Sequence, residues 1–378
     1  MKVMIVVTHL LGTGHLSRAL TLGRAFHTAG DEVLIISGGR PAPHLDHAGL
    51  GWLQLPPLAS DGVDFTRLLD DRGQEAGAGY LEARLTELRR ALASFAPDVL
   101  ITELFPFGRR SLSNEFMTLL EASRDLRHRP LVLASIRDIL APPSKPKKAD
   151  RAEAIVTDFY DAVLVHSDPA ATTLDRSWPV TPALAAKLRY TGYVAPPAPL
   201  PHPEGAGTGE ILVSAGGGAV GDPIFHAALA AARLTPDLTW RLLVGGQNPA
   251  RLAALQTEAP ANAKVEPARP DFRQMLPRAR SSVSMCGYNT AMDLLQAGTP
   301  AVLIPFDAGK EVEQGLRAAS LATLPGITVL PAAELTPTRL VDALATVIAA
   351  GPRRDTALQF DGAARSVAIA HQMAKAGA

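Results

Sequence analysis

The run Gly12-Thr13-Gly14-His15-Leu16-Ser17-Arg18 puts two glycines and an imidazole where a strand would turn into a helix. Gly12 and Gly14 let the backbone turn tightly and come close to a ligand, and the helix that follows presents its positive dipole end. His15 stands at that helix start. Its reference pKa of about 6.5 would let it take a proton from a hydroxyl near neutral pH. The plainer alternative is a histidine that only bonds backbone. Arg18 follows one turn on, as a phosphate ligand or as a solvated charge. The turn partly fits a dinucleotide fingerprint, but Ser17 replaces its third glycine. The next strand ends Ser37-Gly38-Gly39-Arg40, with no carboxylate for a ribose.

A second constellation runs from Cys286 to Ala318. In Cys286-Gly287-Tyr288-Asn289-Thr290, Gly287 permits a turn and Asn289 and Thr290 can cap a helix, which makes an anion site suited to a diphosphate. Asp293 falls in the first turns of that helix, where it could accept two ribose hydroxyls or simply complement the dipole. Glu311, Gln314 and Arg317 then recur at helical spacing on one face, as sugar-hydroxyl ligands or as a wet helix side.

Glu103 ends a strand in the first half, and Arg137 and Asp138 end another. Each could position an acceptor or form a structural ion pair. No Asp-x-Asp triplet and no His/acid cluster with metal-site spacing occurs, so no metal and no organic cofactor is expected. The 37 basic and 37 acidic residues cancel, which leaves no global field for nucleic acid. One cysteine excludes an intrachain disulfide and suggests a reducing, cytoplasmic setting. No apolar run reaches the roughly 18 residues a spanning helix needs. Membrane contact would be peripheral, through Lys145, Lys147 and Lys148 in a proline loop over 141–148.

These residues need elements to hold them. Val3–Val7, Val33–Ile36, Val99–Thr102, Leu131–Ser135 and Ala162–Val165 read as strands buried on both faces, alternating with helices. A Pro/Gly stretch over 196–209 reads as a linker. Beyond it the pattern restarts with strands at Ile211–Ser214, Arg241–Val244, Ser282–Met285 and Ala301–Ile304. The expected fold is α/β: two Rossmann-like, doubly wound domains facing across a cleft, spanning 1–195 and 210–355. A C-terminal helix in 356–378 is expected to pack back on the first domain.

The segment Gly287-Tyr288-Asn289-Thr290 through Asp293, Gly298, Pro300 and Pro305 to Gln314 and Ala318 resembles the donor-binding half of the bacterial UDP-N-acetylglucosamine transferases of peptidoglycan lipid-intermediate synthesis. It is also similar to the wider GT-B glycosyltransferases. The resemblance implies His15 as general base, with Thr13, Arg18, Glu103, Arg137 and Asp138 toward the acceptor. It implies Gly14, Ser214, Gly216, Gly217 and Gly218 near the donor phosphates and Arg269 beside the nucleobase. Gly287, Tyr288, Asn289 and Thr290 would hold the diphosphate, Asp293 the ribose, and Glu311 and Gln314 the sugar. Two departures stand out: Asp293 replaces the family's usual Glu, and Thr13-Gly14 replaces a double glycine before the histidine. The implied activity is inverting, metal-independent sugar transfer from a nucleotide diphosphate donor, UDP-linked, to an acceptor hydroxyl. Hydrolysis or epimerisation of a nucleotide sugar is the alternative, since the first turn is also similar to that of a nucleotide-sugar hydrolase.

Overall fold

Val3 to Val7 are fully buried, because both faces of their strand are covered: Met4 and Val6 enter one apolar core, and Val3, Ile5 and Val7 enter another. The structure is a computed structural model that describes residues 1–60, 67–216, 221–246, 248–306, 312–354 and 357–377. The chain divides into two compact units, Met1–Ala195 with Gln359–Ala378, and Pro196–Leu358.

The first unit holds β1 (Lys2–Val7), β2 (Glu32–Gly39), β3 (Gly51–Leu58), β4 (Val99–Glu103), β5 (Leu131–Arg137), β6 (Ala162–His166) and β7 (Leu188–Tyr190). They pair in the order β3-β2-β1-β4-β5-β6-β7, all parallel. Its helices are α1 (Gly14–Thr28), α2 (Ala78–Phe95), α3 (Ser113–Arg124), α4 (Pro146–Phe159) and α5 (Pro182–Lys187). The order reverses between β1 and β4, and in such sheets the crevice beyond the strand ends at that point is where ligands sit. β1 delivers the chain to His15 and β4 ends on Glu103.

The second unit contains β8 (Ile211–Ser214), β9 (Trp240–Val244), β10 (Ala263–Pro267), β11 (Ser281–Ser284), β12 (Ala301–Leu303) and β13 (Ile327–Val329). These are also all parallel, in the order β10-β9-β8-β11-β12-β13. Helices α6 (Asp222–Leu234), α7 (Pro249–Glu258), α8 (Phe272–Met275), α9 (Tyr288–Ala297) and α10 (Glu313–Leu321) connect them, and α11 (Pro337–Ala350) follows β13. The reversal here lies between β8, ending on Ser214, and β11, which leads into Cys286 and Gly287.

The last helix, α12 (Gly362–Gly377), belongs to the first unit and packs on α1 and β5. Val367 and Ala370 enter the core that holds Val3 and Ile5, and His371 Nε2 lies 2.8 Å from Asp31. Residues 196–209 are part of the second unit, where the backbone N–H of His202 donates to the Gln274 carbonyl. The stretch 141–148, expected as a loop, is only partly one. Pro146 opens α4 at the first helical position, where its missing N–H costs nothing.

Candidate active site

His15 is the second residue of α1, whose N-cap, Thr13, makes no side-chain capping bond. Thr13 Oγ1 instead lies 3.4 Å from His44 Nε2. The His15 ring keeps 15% exposure, and its Nδ1 is 3.0 Å from Glu103 Oε1. A carboxylate only accepts, so Nδ1 carries the proton and Nε2 is left with its lone pair. Arg18 donates to the same Oε1, and its Nη2 passes 3.2 Å from His15 Nδ1; two donors converge on one oxygen. Burial pushes the Glu103 carboxyl up, but Arg18 and the hydrogen bonds from His15 and Ser135 hold it well below the usual carboxylate range. Arg18, expected at an acceptor or in solvent, is 5% exposed and spends its guanidinium on Glu103.

Burial lowers the His15 pKa most, followed by the positive charge of Arg109. Arg137 and Arg18 add to this, and the Glu103 bond opposes it, leaving a value of about 3. The imidazole is therefore neutral across the physiological range. Arg109 was not singled out in the sequence. It occupies the left-handed region at φ 58°, in the loop after β4, and its Nε donates to the Thr8 carbonyl at 2.5 Å. Arg137 ends β5. Asp138, 1% exposed, accepts the Ile139 N–H at 2.8 Å.

In the second unit the turn between β11 and α9 has Gly287 as N-cap, with no side-chain capping bond. Asn289 and Thr290, read as caps, lie inside the first helical turn, and Asn289 is exposed. Gly287 has no side chain, so the N-cap residue itself takes none of the first-turn N–H groups that could serve an anion. A Cβ added at Gly287 would meet nothing within 4 Å. Tyr288 is buried, with the Arg317 guanidinium 5.7 Å from its ring centroid.

Two side chains of α10 fix this turn. The Gln314 carbonyl accepts the backbone N–H groups of Cys286 at 3.0 Å and Phe306 at 3.1 Å, tying the ends of β11 and β12 together. Arg317 Nη1 donates to the Cys286 carbonyl at 3.1 Å. Arg317, read with Glu311 and Gln314 as part of a ligand-facing or a wet helix side, is 1% exposed. Asp293 faces Arg273, whose Nε donates to Oδ1 at 2.5 Å. Burial raises the Asp293 pKa to about 6, with Arg273 pulling the other way.

Ser214 Oγ accepts the Gly216 N–H at 3.2 Å, and Gly216 takes φ 79°, which glycine alone adopts freely. Gly217, Gly218 and Glu311 lie outside the described residues. Arg269 follows β10, the edge strand two places from β8, and is held by Asp271 at 2.8 Å through Nε. Among the described residues, no group of three or more His, Cys, Asp or Glu is arranged to hold a metal ion.

Residues 235–371 match the glycosyltransferase family 28 C-terminal domain. A UDP-N-acetylglucosamine–N-acetylmuramyl-(pentapeptide) pyrophosphoryl-undecaprenol N-acetylglucosamine transferase of Rhodopseudomonas palustris (strain BisB18) is 30% identical over 205 residues, 51% of this chain and 54% of that protein. The chain thus spans about half the length of the curated relatives it matches. The crystal structure of Acinetobacter baumannii MurG superposes with a TM-score of 0.60 at 17% identity, covering 98% of this chain and 99% of that one. The spinosyn rhamnosyltransferase SpnG, complexed with thymidine diphosphate, gives 0.58 at 20% identity, over 100% and 96%. The architecture is the GT-B glycosyltransferase fold. Within it, the chain is similar to the peptidoglycan N-acetylglucosamine transferases, and residues 235–371 match the family 28 C-terminal domain.

Proposed function

We propose that this chain is a glycosyltransferase that moves a sugar from a nucleoside diphosphate to an acceptor hydroxyl, with His15 as the general base. The observation that carries the reading is the His15 Nδ1–Glu103 Oε1 bond of 3.0 Å. It orients the imidazole, leaves Nε2 to take a proton, and places a carboxylate where the imidazolium will form. The acceptor oxygen attacks the anomeric carbon as its proton passes to Nε2. The bond from that carbon to the diphosphate breaks, and the nucleoside diphosphate leaves with the electron pair. A single in-line displacement inverts the anomeric centre.

The departing charge falls to the N–H groups at the start of α9, which stabilise an anion without a metal. Asp293 receives the ribose hydroxyls, Ser214 and Gly216 stand near the phosphates, and Arg269 contacts the nucleobase. The relatives' printed names support a uridine-linked N-acetylhexosamine as donor and a pyrophosphoryl lipid as acceptor. They are transferases, which does not favour hydrolysis or epimerisation. No helix among the described residues is long and apolar enough to cross a membrane. Contact with lipid, on the cytoplasmic side, would run through Lys145, Lys147 and Lys148 at the start of α4.

The test is turnover and donor binding of His15→Ala, measured side by side with UDP-N-acetylglucosamine. Turnover should fall steeply while calorimetric affinity for the donor holds. Equal loss of both makes His15 structural, and no affinity of the native protein for any sugar nucleotide removes the proposal.

A further inference from the structure

Behind the His15–Glu103 pair lies a second line of polar side chains that the reaction above does not use. Glu103 Oε2 accepts the hydroxyl proton of Ser135 at 2.5 Å. Ser135 Oγ lies 3.0 Å from His166 Nε2, and His166 Nδ1 lies 2.9 Å from Thr191 Oγ1. Each residue comes from the carboxyl end of a successive strand: Glu103 ends β4, Ser135 pairs with it in β5, His166 ends β6, and Thr191 follows β7 by one residue. Ser135, His166 and Thr191 are all 0% exposed.

The protons of Ser135 and His166 have one arrangement in this ladder. Glu103 is ionised and accepts only, so the single Ser135 proton points to it. Ser135 Oγ must then receive from His166, which places the His166 proton on Nε2. A neutral imidazole then has its lone pair on Nδ1, which faces the Thr191 hydroxyl, and that hydroxyl also donates to the Gly192 carbonyl at 2.7 Å. Four buried polar groups are costly to place in a sheet that apolar side chains could fill, and a hydrogen-bonded network of this kind fixes one geometry. Here that geometry ends on the carboxylate that selects the His15 tautomer.

We infer that Ser135 and His166 are positioning residues, acting through Glu103 to hold His15 in the tautomer whose Nε2 can take a proton. The inference rests on His15 being the base. Ser135 and His166 touch no reacting atom.

The test needs no substrate. Protein labelled with ¹⁵N-histidine reports each ring's tautomer by long-range ¹H–¹⁵N correlation, with His15 and His166 assigned from the loss of their signals in His15→Gln and His166→Gln. In the native protein His15 should be protonated at Nδ1 and His166 at Nε2; the opposite state at either ring overturns the inference without any variant having to fold. Ser135→Ala and His166→Leu should each turn His15 into a tautomer mixture. Ser135→Thr, which keeps the hydroxyl, and His166→Gln, which keeps a donor, should restore it. A His15 signal unchanged in Ser135→Ala and His166→Leu also overturns it. Should His15→Gln instead keep full turnover, the base assignment fails, and the tautomer data stand apart from that outcome.

Discussion

Glu103 Oε1 sits 3.0 Å from His15 Nδ1, 88 residues away in sequence, because β4 lies directly beside β1 in the sheet and each ends at the same edge. Glu103→Gln keeps the shape of the side chain and removes the charge that stabilises an imidazolium. Turnover should fall by roughly 10²- to 10⁴-fold with little change in KM for the donor, the pattern expected when an interaction matters mainly in the transition state. A rise in KM with unchanged kcat would show that Glu103 binds substrate instead.

Two imidazoles of the site contribute to the pH dependence of stability. His15 and His166 are both lowered to about 3, each first by burial. Unfolded histidines titrate near 6.5, so between that pH and about 3 the unfolded chain binds more protons. Stability should therefore fall as pH drops through that window, visible as a declining Tm. In His166→Gln one of the two contributions disappears and the decline should be shallower. An unchanged slope would mean that His166 titrates normally.

Gly287→Ala separates stability from function. The glycine has φ −63°, which alanine adopts without strain, and open space surrounds the added methyl. Tm should hold or rise, since alanine restricts the unfolded chain by about 0.4–1 kcal/mol. Yet the methyl would stand at the anion-binding end of α9. Affinity for a nucleoside diphosphate, measured by calorimetry, should drop several-fold.

Asp293 titrates at about 6, so protonation should weaken donor binding as pH falls through that value. In Arg273→Met the opposing charge is gone and the midpoint should move upward. A donor-affinity profile flat between pH 5 and 8 argues against ribose contact by Asp293.

Arg317→Met would leave the Cys286 carbonyl without its guanidinium donor, at a cost of about 1–3 kcal/mol for a buried acceptor. Cys286 is itself buried. Its reaction with a thiol reagent should be slow in the native protein and faster in the variant. Equal rates would show that α10 does not hold this turn.

The strands that sequence made legible are the central ones. β1, β4, β5, β6, β8 and β9 are buried almost throughout and appear as short apolar runs. The four strands absent from that reading, β3, β7, β10 and β13, are the edges of the two sheets. Half exposed, and in β3 and β10 containing proline, they carry neither a continuous apolar run nor a clean alternation. Edge strands tolerate such residues because one side has no ladder to complete.

The site divides in the same way. His15 was legible because a glycine turn marks it, and Glu103 because it ends an apolar run. Their mutual bond was not, since sheet order brings them together. Ser135 lay at the end of a recognised strand and His166 just past one, but neither residue type signals burial in a polar ladder. Gln314 is the converse case. Its spacing suits a ligand-facing helix side equally well, and only the backbone N–H groups of Cys286 and Phe306 show its carbonyl turned to the scaffold.

α12 fills a groove of the first unit, yet the ribosome makes it after the whole of residues 196–358. While the chain is being synthesised, the core that Val3 and Ile5 share with α1 must wait for Val367 and Ala370 to complete its cover. Folding of the N-terminal half is thus completed from the other end of the chain. A nascent chain stalled before residue 359 should show a finished second unit beside an unfinished first one.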